Sequence, residues 1–167
     1  HIYPREMDDK MTSTQPLASL RKSSLPGPDD ITRHELENGI TLLIRPNFNT
    51  LSVTVSGYLM AGSLYEPLPK MGLANFVSST LMRGTKDHSF QEIYNRLESI
   101  GASLIFSGGT HTAGFSGKSL GADLDLLIET IGETLRCPTF PGDHVERVRS
   151  QLLTSLDLRA QNTSEMA

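Results

Sequence analysis

The chain has 167 residues and a mass of 18.3 kDa, which is enough for one domain with a buried core. Its formal net charge of −4 and pI near 5.7 leave no basic surface of the kind that binds nucleic acid. No segment approaches the roughly 18 consecutive apolar residues that a membrane span requires. The single cysteine, Cys137, cannot form an internal disulfide and is expected to be a small buried side chain beside Pro138.

The first 30 residues are polar and dotted with proline, and they contain no apolar core of a signal peptide. Glu6, Asp8 and Asp9 are also atypical of a mitochondrial transit peptide, which is usually poor in acidic residues. We expect residues 1–30 to be a flexible leader. Because no export signal is visible, the cytoplasm is the expected compartment. A periplasmic or mitochondrial location is the alternative if a targeting segment has been removed.

Three strands are predicted from about Ile31 onward. Residues 32–37 and 40–45 are two short β-like runs joined by Asn38-Gly39, a dipeptide typical of two-residue hairpin turns. Residues 51–60 are rich in valine, threonine and serine and predict a third strand.

Two helices are predicted next. Residues 73–82 carry apolar side chains at helical spacing, and Gly84 closes this segment. Ser89 and Glu92 form a capping-box pattern ahead of the second helix, which ends at Gly101.

The chain then returns to strands before its last two helices. Residues 102–107 and 110–118 predict strands on either side of Gly108-Gly109, which suggests a second hairpin. One helix carries a single apolar face from Leu120 to Leu135, and the last starts near Asp143. Because strands come in hairpin pairs and helices in separate blocks, the sequence predicts an α+β fold, with a mostly antiparallel sheet and helices packed on one face.

The segment from Gly72 to Thr85 carries the main functional signal. It reads GLANFVSSTLMRGT and resembles the helix motif GLAHFxEHxxFKGT of the pitrilysin-type (inverzincin) zinc peptidases, a family that includes insulin-degrading enzyme and mitochondrial processing peptidase. Other segments resemble the same family in the same order, namely LENGITLLIRP, SVTVSGYLMAGSLYEP, LESIGASLIFSGGTHTAGFSGKS and PTFPGDHVERVRSQLLTSLDLRAQN. The resemblance covers most of the chain from about Ile31.

In that family, two histidines four residues apart on a helix bind one zinc ion, and a glutamate between them acts as general base. A glutamate on a later helix completes the ligand set. The resemblance places Asn75 and Ser79 at the histidine positions, Ser78 at the base and Ser155 near the distal glutamate. Amide and hydroxyl groups are poor zinc ligands beside imidazole and carboxylate. The resemblance therefore implies a degenerate site without catalytic residues, metal or cofactor, and zinc is expected only in a catalytic partner.

The small polar residues at positions 75, 78 and 79 leave two interpretations open, a vestigial groove that still holds peptide or an ordinary solvent-facing helix surface. Other candidate sites are weaker. His88 and Glu92 lie four residues apart at a helix start, where capping or surface roles explain them better. Asp123, Asp125 and Glu129 are better explained as a solvated, acidic helix face than as paired catalytic carboxylates.

The resemblance implies that residues 31–167 are the N-terminal peptidase-homologue domain, truncated here, of a longer protein with a second such domain. The leading hypothesis is a non-catalytic homologue that supports peptide binding and assembles, as a heterodimer, with a zinc-bearing partner subunit or domain. One alternative is a structural scaffold subunit resembling the core proteins of the respiratory bc complex. Another is the inactive half of an active zinc metallopeptidase whose metal site lies outside this chain. Neither a nucleic-acid partner nor a membrane segment is expected.

Overall fold

The computed structural model describes residues 27–161. Most of the predicted leader, residues 1–26, lies outside this range, as do residues 162–167. The chain divides into two compact units, with the boundary between Phe48 and Asn49. Among the described residues, no helix is both long and apolar enough to cross a bilayer.

The first unit contains the predicted N-terminal hairpin. Strands β1 (Thr32–Glu35) and β2 (Thr41–Ile44) pair antiparallel. The turn differs from the prediction, because Leu36 N donates to Ile40 O at 2.9 Å, which leaves a three-residue loop. Gly39 alone adopts positive φ (83°), whereas a two-residue type I′ turn would require it of Asn38 as well.

The second unit is built on a three-stranded antiparallel sheet in the order β3-β5-β4. The strands are β3 (Ser52–Leu59), β4 (Ser103–Gly108) and β5 (Ala113–Leu120), and the helices are α1 (Leu73–Thr80), α2 (Phe90–Ser99), α3 (Leu124–Arg136) and α4 (Gly142–Gln161). The predicted α+β class and its antiparallel sheet are confirmed, as is the chain order of strands and helices.

Alternation along the strands decides which face of the sheet is covered. Val55, Leu104, Phe106 and Phe115 lie on one face, where they pack with buried residues of the helical segments. These buried partners are Met82, Ile93, Leu97, Leu127 and Ile131. On the other face, positions such as Thr54, Ser103 and Lys118 are exposed. The helices therefore cover a single face, as the sequence predicts.

Two predicted helices differ at their ends. The first stops at Thr80 and continues as a 3-10 turn, Leu81–Arg83, instead of running as α-helix to Met82. Helix α3 begins at Leu124 and not at Leu120, because Leu120 ends β5 and a 3-10 turn intervenes. The capping box at Ser89 and Glu92 is confirmed, with the Ser89 backbone N–H donating to the Glu92 carboxylate at 2.8 Å.

Cys137 is exposed, so the expectation that it is buried beside Pro138 is wrong. It lies at the C-terminal end of α3, where its backbone N–H donates to Glu133 O at 2.9 Å. The helix ends there, and the backbone of Cys137 pairs with the segment before α2, since Lys86 N donates to Cys137 O at 2.9 Å, while its side chain stays exposed.

Candidate functional site

Helix α1 carries three of the four residues aligned with the zinc site, and a carboxylate fixes its N-terminus. Glu66 accepts hydrogen bonds from the backbone N–H groups of Gly72 (2.6 Å) and Ala74 (2.5 Å). These donors have no partner within the helix, and a negative charge there also favours the helix dipole. The sequence analysis does not single out Glu66. Its acidic side chain in the turn-rich loop before α1 is the feature that could have indicated a helix cap.

The end of β4 packs directly on the first turn of α1. A Cβ atom added to Gly108 would lie 2.5 Å from the carbonyl carbon and oxygen of Ala74. Gly108 is thus required for close approach of two backbones, and it belongs to β4. The turn therefore does not lie at Gly108-Gly109, as the sequence predicts. It is a two-residue loop formed by Thr110 and His111, across which Gly109 N donates to Thr112 O at 2.8 Å.

A polar cavity of about 400 Å³ lies between the start of α1, the end of β4 and the loop that holds Glu66. Two backbone hydrogen bonds tie that loop to the β4–β5 turn, from Ser63 N to Gly109 O (3.0 Å) and from Leu64 N to Thr110 O (2.9 Å). Asn75 is exposed and lines this cavity. The amide at the first histidine position therefore faces a polar, solvent-accessible recess.

Ser78 lies in a different environment, although it is only three residues further along α1. Its side chain is buried, with 7% of the residue exposed, and it lines a second cavity of about 450 Å³ whose walls are mainly apolar. Leu73, Val77, Phe106 and Phe115 contribute to those walls. The position of the family's general base thus lies in an apolar cavity.

The remaining two aligned residues bond within their own helices. The Ser79 hydroxyl donates to Asn75 O at 2.8 Å, and the Ser155 hydroxyl donates to Leu152 O at 2.7 Å on the exposed part of α4. Helix α4 packs on α1, where the Arg149 guanidinium lies 5.8 Å from the centre of the Phe76 ring. Ser155 is six positions beyond Arg149 on the same helix.

The donor groups that α1 and α4 present at the aligned positions are one amide and three hydroxyls. Zinc in proteins prefers imidazole, thiolate and carboxylate ligands. Nowhere in residues 27–161 do three or more histidine, cysteine, aspartate or glutamate side chains converge as a metal site would require. The residues present do not fit a zinc ion, and no metal-dependent step is derived from them.

His88 does not pair with Glu92 as a site. Its Nδ1 lies 2.9 Å from a Glu133 carboxylate oxygen, and Arg96 Nη1 lies 3.0 Å from its Nε2. The Thr85 hydroxyl also donates to Glu133. This cluster (Thr85, His88, Arg96 and Glu133) joins the loop before α2 to α2 and α3, and of its members the sequence analysis singled out only His88.

The hydrogen bonds and charges of the cluster lower the pKa of Glu133. Partial burial raises the pKa of Glu133, but hydrogen bonds from Thr85 and His88 and the charges of His88 and Arg96 outweigh it, so the pKa lies below its usual value. Glu92 also has a lowered pKa, chiefly because the Ser89 backbone and hydroxyl donate to it. Both carboxylates therefore stabilise the fold as anions.

The acidic residues of α3 do not form a carboxylate pair. Glu129 lies 3.7 Å from Arg96 Nη2 and its side chain is largely exposed. Asp123 and Asp125 lie at the first turn of α3, where negative charge favours the helix dipole.

Strand β4 has a free edge within the described part of the chain, since it pairs with β5 alone. Gly109 and Thr112 are a hydrogen-bonded pair, and such pairs alternate along antiparallel strands. Ser107 and Ile105 consequently bond to β5. The backbone N–H and C=O groups of Leu104, Phe106 and Gly108 therefore point away from β5, toward the free edge.

The comparisons with known proteins agree with this architecture. The sequence profile described as "Insulinase (Peptidase family M16)" matches residues 42–166. The beta subunit of the mitochondrial-processing peptidase of Saccharomyces cerevisiae is 29% identical over 145 residues, which are 86% of this chain and 30% of that protein. Subunit 2 of the mitochondrial cytochrome b-c1 complex of Mus musculus is 24% identical over 149 residues, which are 86% of this chain and 33% of that protein.

Solved structures show the same fold. An inactive domain of peptidase M16 from Pseudomonas fluorescens superposes with a TM-score of 0.75 at 21% identity, covering 80% of this chain and 32% of that one. A protease from Helicobacter pylori gives 0.71 at 21% identity, covering 79% and 32%. The chain thus spans about a third of the length of these relatives. With the profile matching most of its residues, it belongs to the insulinase family, peptidase family M16.

Proposed function

We propose that this chain is a non-catalytic M16 domain that binds extended peptides and assembles with a zinc-bearing subunit or domain of the same family. One observation carries the proposal. The close packing of β4 on α1 is intact, whereas the aligned positions on α1 offer only Asn75, Ser78 and Ser79. The scaffold is kept while the chemistry is missing.

Loss of the zinc site follows from the side chains themselves. Neither an amide nor a hydroxyl takes a proton from water near neutral pH as a glutamate with a tuned pKa does. The Ser78 position is also surrounded by apolar walls that would disfavour a charged base. In this proposal zinc and its activated water belong to the partner alone.

Peptide binding is proposed at the free edge of β4. The outward N–H and C=O groups near Phe106 and Gly108 can pair with an extended peptide, as in other cases of strand addition. Such binding uses main-chain hydrogen bonds and does not need the metal. The edge ends beside the polar cavity that contains Asn75, whose amide can both donate and accept.

Scanning N-methylation of a bound peptide tests this mode directly. A pool of 15-residue peptides is screened by fluorescence anisotropy, and the tightest binder is then methylated at one backbone nitrogen at a time. We expect alternate positions to lose about tenfold or more in affinity, since only every second N–H faces the edge strand. The intervening positions serve as the matched control and should change little. Uniform tolerance of methylation, or the absence of any binder in the pool, would contradict the proposal.

Assembly with a zinc-bearing partner is supported by the relatives, because two of them are named as subunits of a peptidase or a complex. The test is reconstitution with a zinc-bearing M16 protein from the same genome. We expect peptide hydrolysis to rise when both chains are mixed and to be absent with this chain alone. A partner whose activity is unaffected by this chain would contradict the assembly part of the proposal.

A scaffold role in a respiratory complex is the second candidate, favoured by the 24% identity to subunit 2 of the cytochrome b-c1 complex. Co-purification separates the two, since a scaffold subunit should be recovered with a membrane complex and a peptidase subunit with a zinc protein. The third candidate is the inactive half of a longer enzyme, and a full-length sequence with H-x-x-E-H elsewhere would support it. The mitochondrial relatives favour the mitochondrial location over the cytoplasmic one.

A further inference from the structure

The loop between β1 and β2 contains a chemically labile pair, Asn38-Gly39, and both residues are exposed. A backbone nitrogen that follows an asparagine can attack the side-chain amide carbon, because both atoms belong to adjacent residues and meet without a bimolecular encounter. Gly39 has no Cβ to shield its nitrogen, and the space where a Cβ would lie contains no atom within 4 Å. No other asparagine of the chain precedes a glycine.

Two hydrogen bonds hold the reactive groups while the hairpin is closed. Gly39 N donates to Leu36 O at 2.9 Å, so the attacking nitrogen is held on its hydrogen-bond acceptor and keeps its proton. Asn38 Oδ1 accepts from Ile40 N at 3.1 Å, which fixes the side-chain amide in an Asx turn. The reaction therefore requires at least a local opening of this loop.

The β1–β2 hairpin has the properties of a segment that opens readily. It is a two-stranded sheet, and every residue of both strands is exposed. Hairpins of this kind are only marginally stable in water, and solvent-exposed backbone hydrogen bonds open locally at a low cost in free energy. The closed loop should thus slow the attack by Gly39 N without preventing it.

We propose that Asn38 is a site of spontaneous deamidation, and that the isoaspartyl product keeps the β1–β2 hairpin open. In the open loop, Gly39 N bonds to Asn38 Cγ, the Cγ–Nδ2 bond breaks, and the amide nitrogen leaves as ammonia with the proton from Gly39 N. Water then opens the resulting cyclic imide. Addition at Cγ gives aspartate, and addition at the main-chain carbonyl carbon gives isoaspartate, whose main chain runs through the former side chain and is longer by one carbon atom.

The two products differ in how they fit the loop. Leu36 N donates to Ile40 O at 2.9 Å, which closes a loop of three residues. Aspartate at position 38 leaves the length of this loop unchanged and keeps an Oδ1 acceptor for Ile40 N. Isoaspartate lengthens the main chain inside the loop, and loop length determines the turn type and the register of the paired strands. The isoaspartyl form therefore arises when the hairpin is open and prevents it from closing in register.

Peptide mapping by mass spectrometry tests the reaction on the 167-residue chain, incubated at pH 8 in buffer and in denaturing urea. We expect Asn38 to gain the mass of an amide-to-acid conversion in both, about tenfold more slowly in buffer because the closed loop holds Gly39 N–H. Asn95 is the internal control, since it lies within α2, its side chain accepts from Gln91 Nε2 at 2.8 Å, and it should remain unmodified in buffer. An unmodified Asn38 in buffer, or equal rates in buffer and urea, would overturn the proposal.

NMR contacts between the paired residues His34 and Leu42 test the effect on the hairpin. The isoaspartyl form is separated by chromatography and identified with a methyltransferase specific for isoaspartyl carboxylates. It should lose these contacts, whereas unmodified protein should keep them. Asn38→Asp is the matched control, because it has the same charge as the isoaspartyl form without the longer main chain, and it should keep the contacts as well. Retention of the contacts in the isoaspartyl form, or their loss in Asn38→Asp, would overturn the proposed effect of the lengthened loop.

Discussion

Two recesses beside helix α1 differ in character, although the residues that mark them are three positions apart and Glu66 lines both. Asn75 faces a polar cavity beside the end of β4, and Ser78 faces an apolar cavity beneath the sheet. In the zinc peptidases that the motif resembles, the corresponding positions act together on one metal ion. Here the two positions lie in different surroundings. Restoring the family's residues at positions 75 and 78 should therefore change the free energy of unfolding by very different amounts.

The largest expected effect comes from the contact between the end of β4 and the first turn of α1. Gly108→Ala places a Cβ 2.5 Å from the Ala74 backbone, and neither backbone can move without displacing α1 or β4. We expect the free energy of unfolding to fall by about 3 kcal/mol or more in urea titrations. Gly109→Ala is the matched control, because its added Cβ would meet nothing nearer than Thr112 O at 3.2 Å. Equal effects of the two substitutions would mean that the close approach is not important.

The comparison of the two recesses is tested by restoring one family residue on each side. Ser78→Glu should cost about 2–4 kcal/mol at neutral pH, because an unpaired carboxylate in an apolar cavity is poorly solvated. Its folded-state pKa would lie above the unfolded value, so the cost should grow as pH rises and be smallest near pH 4. Asn75→His should stay within about 0.5 kcal/mol, because the residue is exposed. Unfolding titrations at pH 4 and pH 8 provide the measurement, and a pH-independent cost at Ser78 would contradict the account.

A smaller effect is expected at the cluster that holds α2 and α3 together, away from both recesses. Glu133→Gln weakens its bonds to Thr85, His88 and Arg96, and should reduce the free energy of unfolding by about 1–3 kcal/mol at pH 7. Because the folded-state pKa of Glu133 is lowered, this stabilisation is present above the unfolded pKa and lost as pH falls through the folded one. The difference between wild type and variant should therefore shrink below about pH 4.

Glu129→Gln is the control for that substitution. Its side chain is largely exposed and lies 3.7 Å from Arg96, so it should change stability by less than about 0.5 kcal/mol. A Glu133 effect that persists unchanged to pH 3 would show that packing, and not charge, is responsible.

Much of the fold could be predicted because local signals agree with it. The capping box at Ser89, the valine- and threonine-rich run of β3 and the stop at Gly101 each specify part of an element without reference to the rest of the chain. The predictions failed where a residue distant in the sequence determines the local structure. Gly108 was interpreted as a turn residue, but the backbone of Ala74 is the reason that glycine is needed there.

The candidate site was only partly predictable for the same reason. The motif alignment identified Asn75, Ser78 and Ser79 and their lack of zinc-ligating groups. It could not show that the three residues face different surroundings, because that depends on β4, β5 and the Glu66 loop, which reach α1 from elsewhere in the sequence. The predicted burial of Cys137 is wrong for a similar reason, since the exposure of a side chain at the end of α3 depends on how that helix packs.

The central claim is that this chain keeps the M16 scaffold without its metal site, and zinc binding tests it most directly. The purified chain is titrated with Zn²⁺ by isothermal calorimetry at pH 7.5, and its metal content as isolated is measured by elemental analysis. The account predicts no zinc in the isolated protein and no binding tighter than about micromolar, as the weak amide and hydroxyl donors imply. Stoichiometric, tight zinc that is lost on Asn75→Ala or Ser79→Ala would contradict it and would make these residues part of a working metal site.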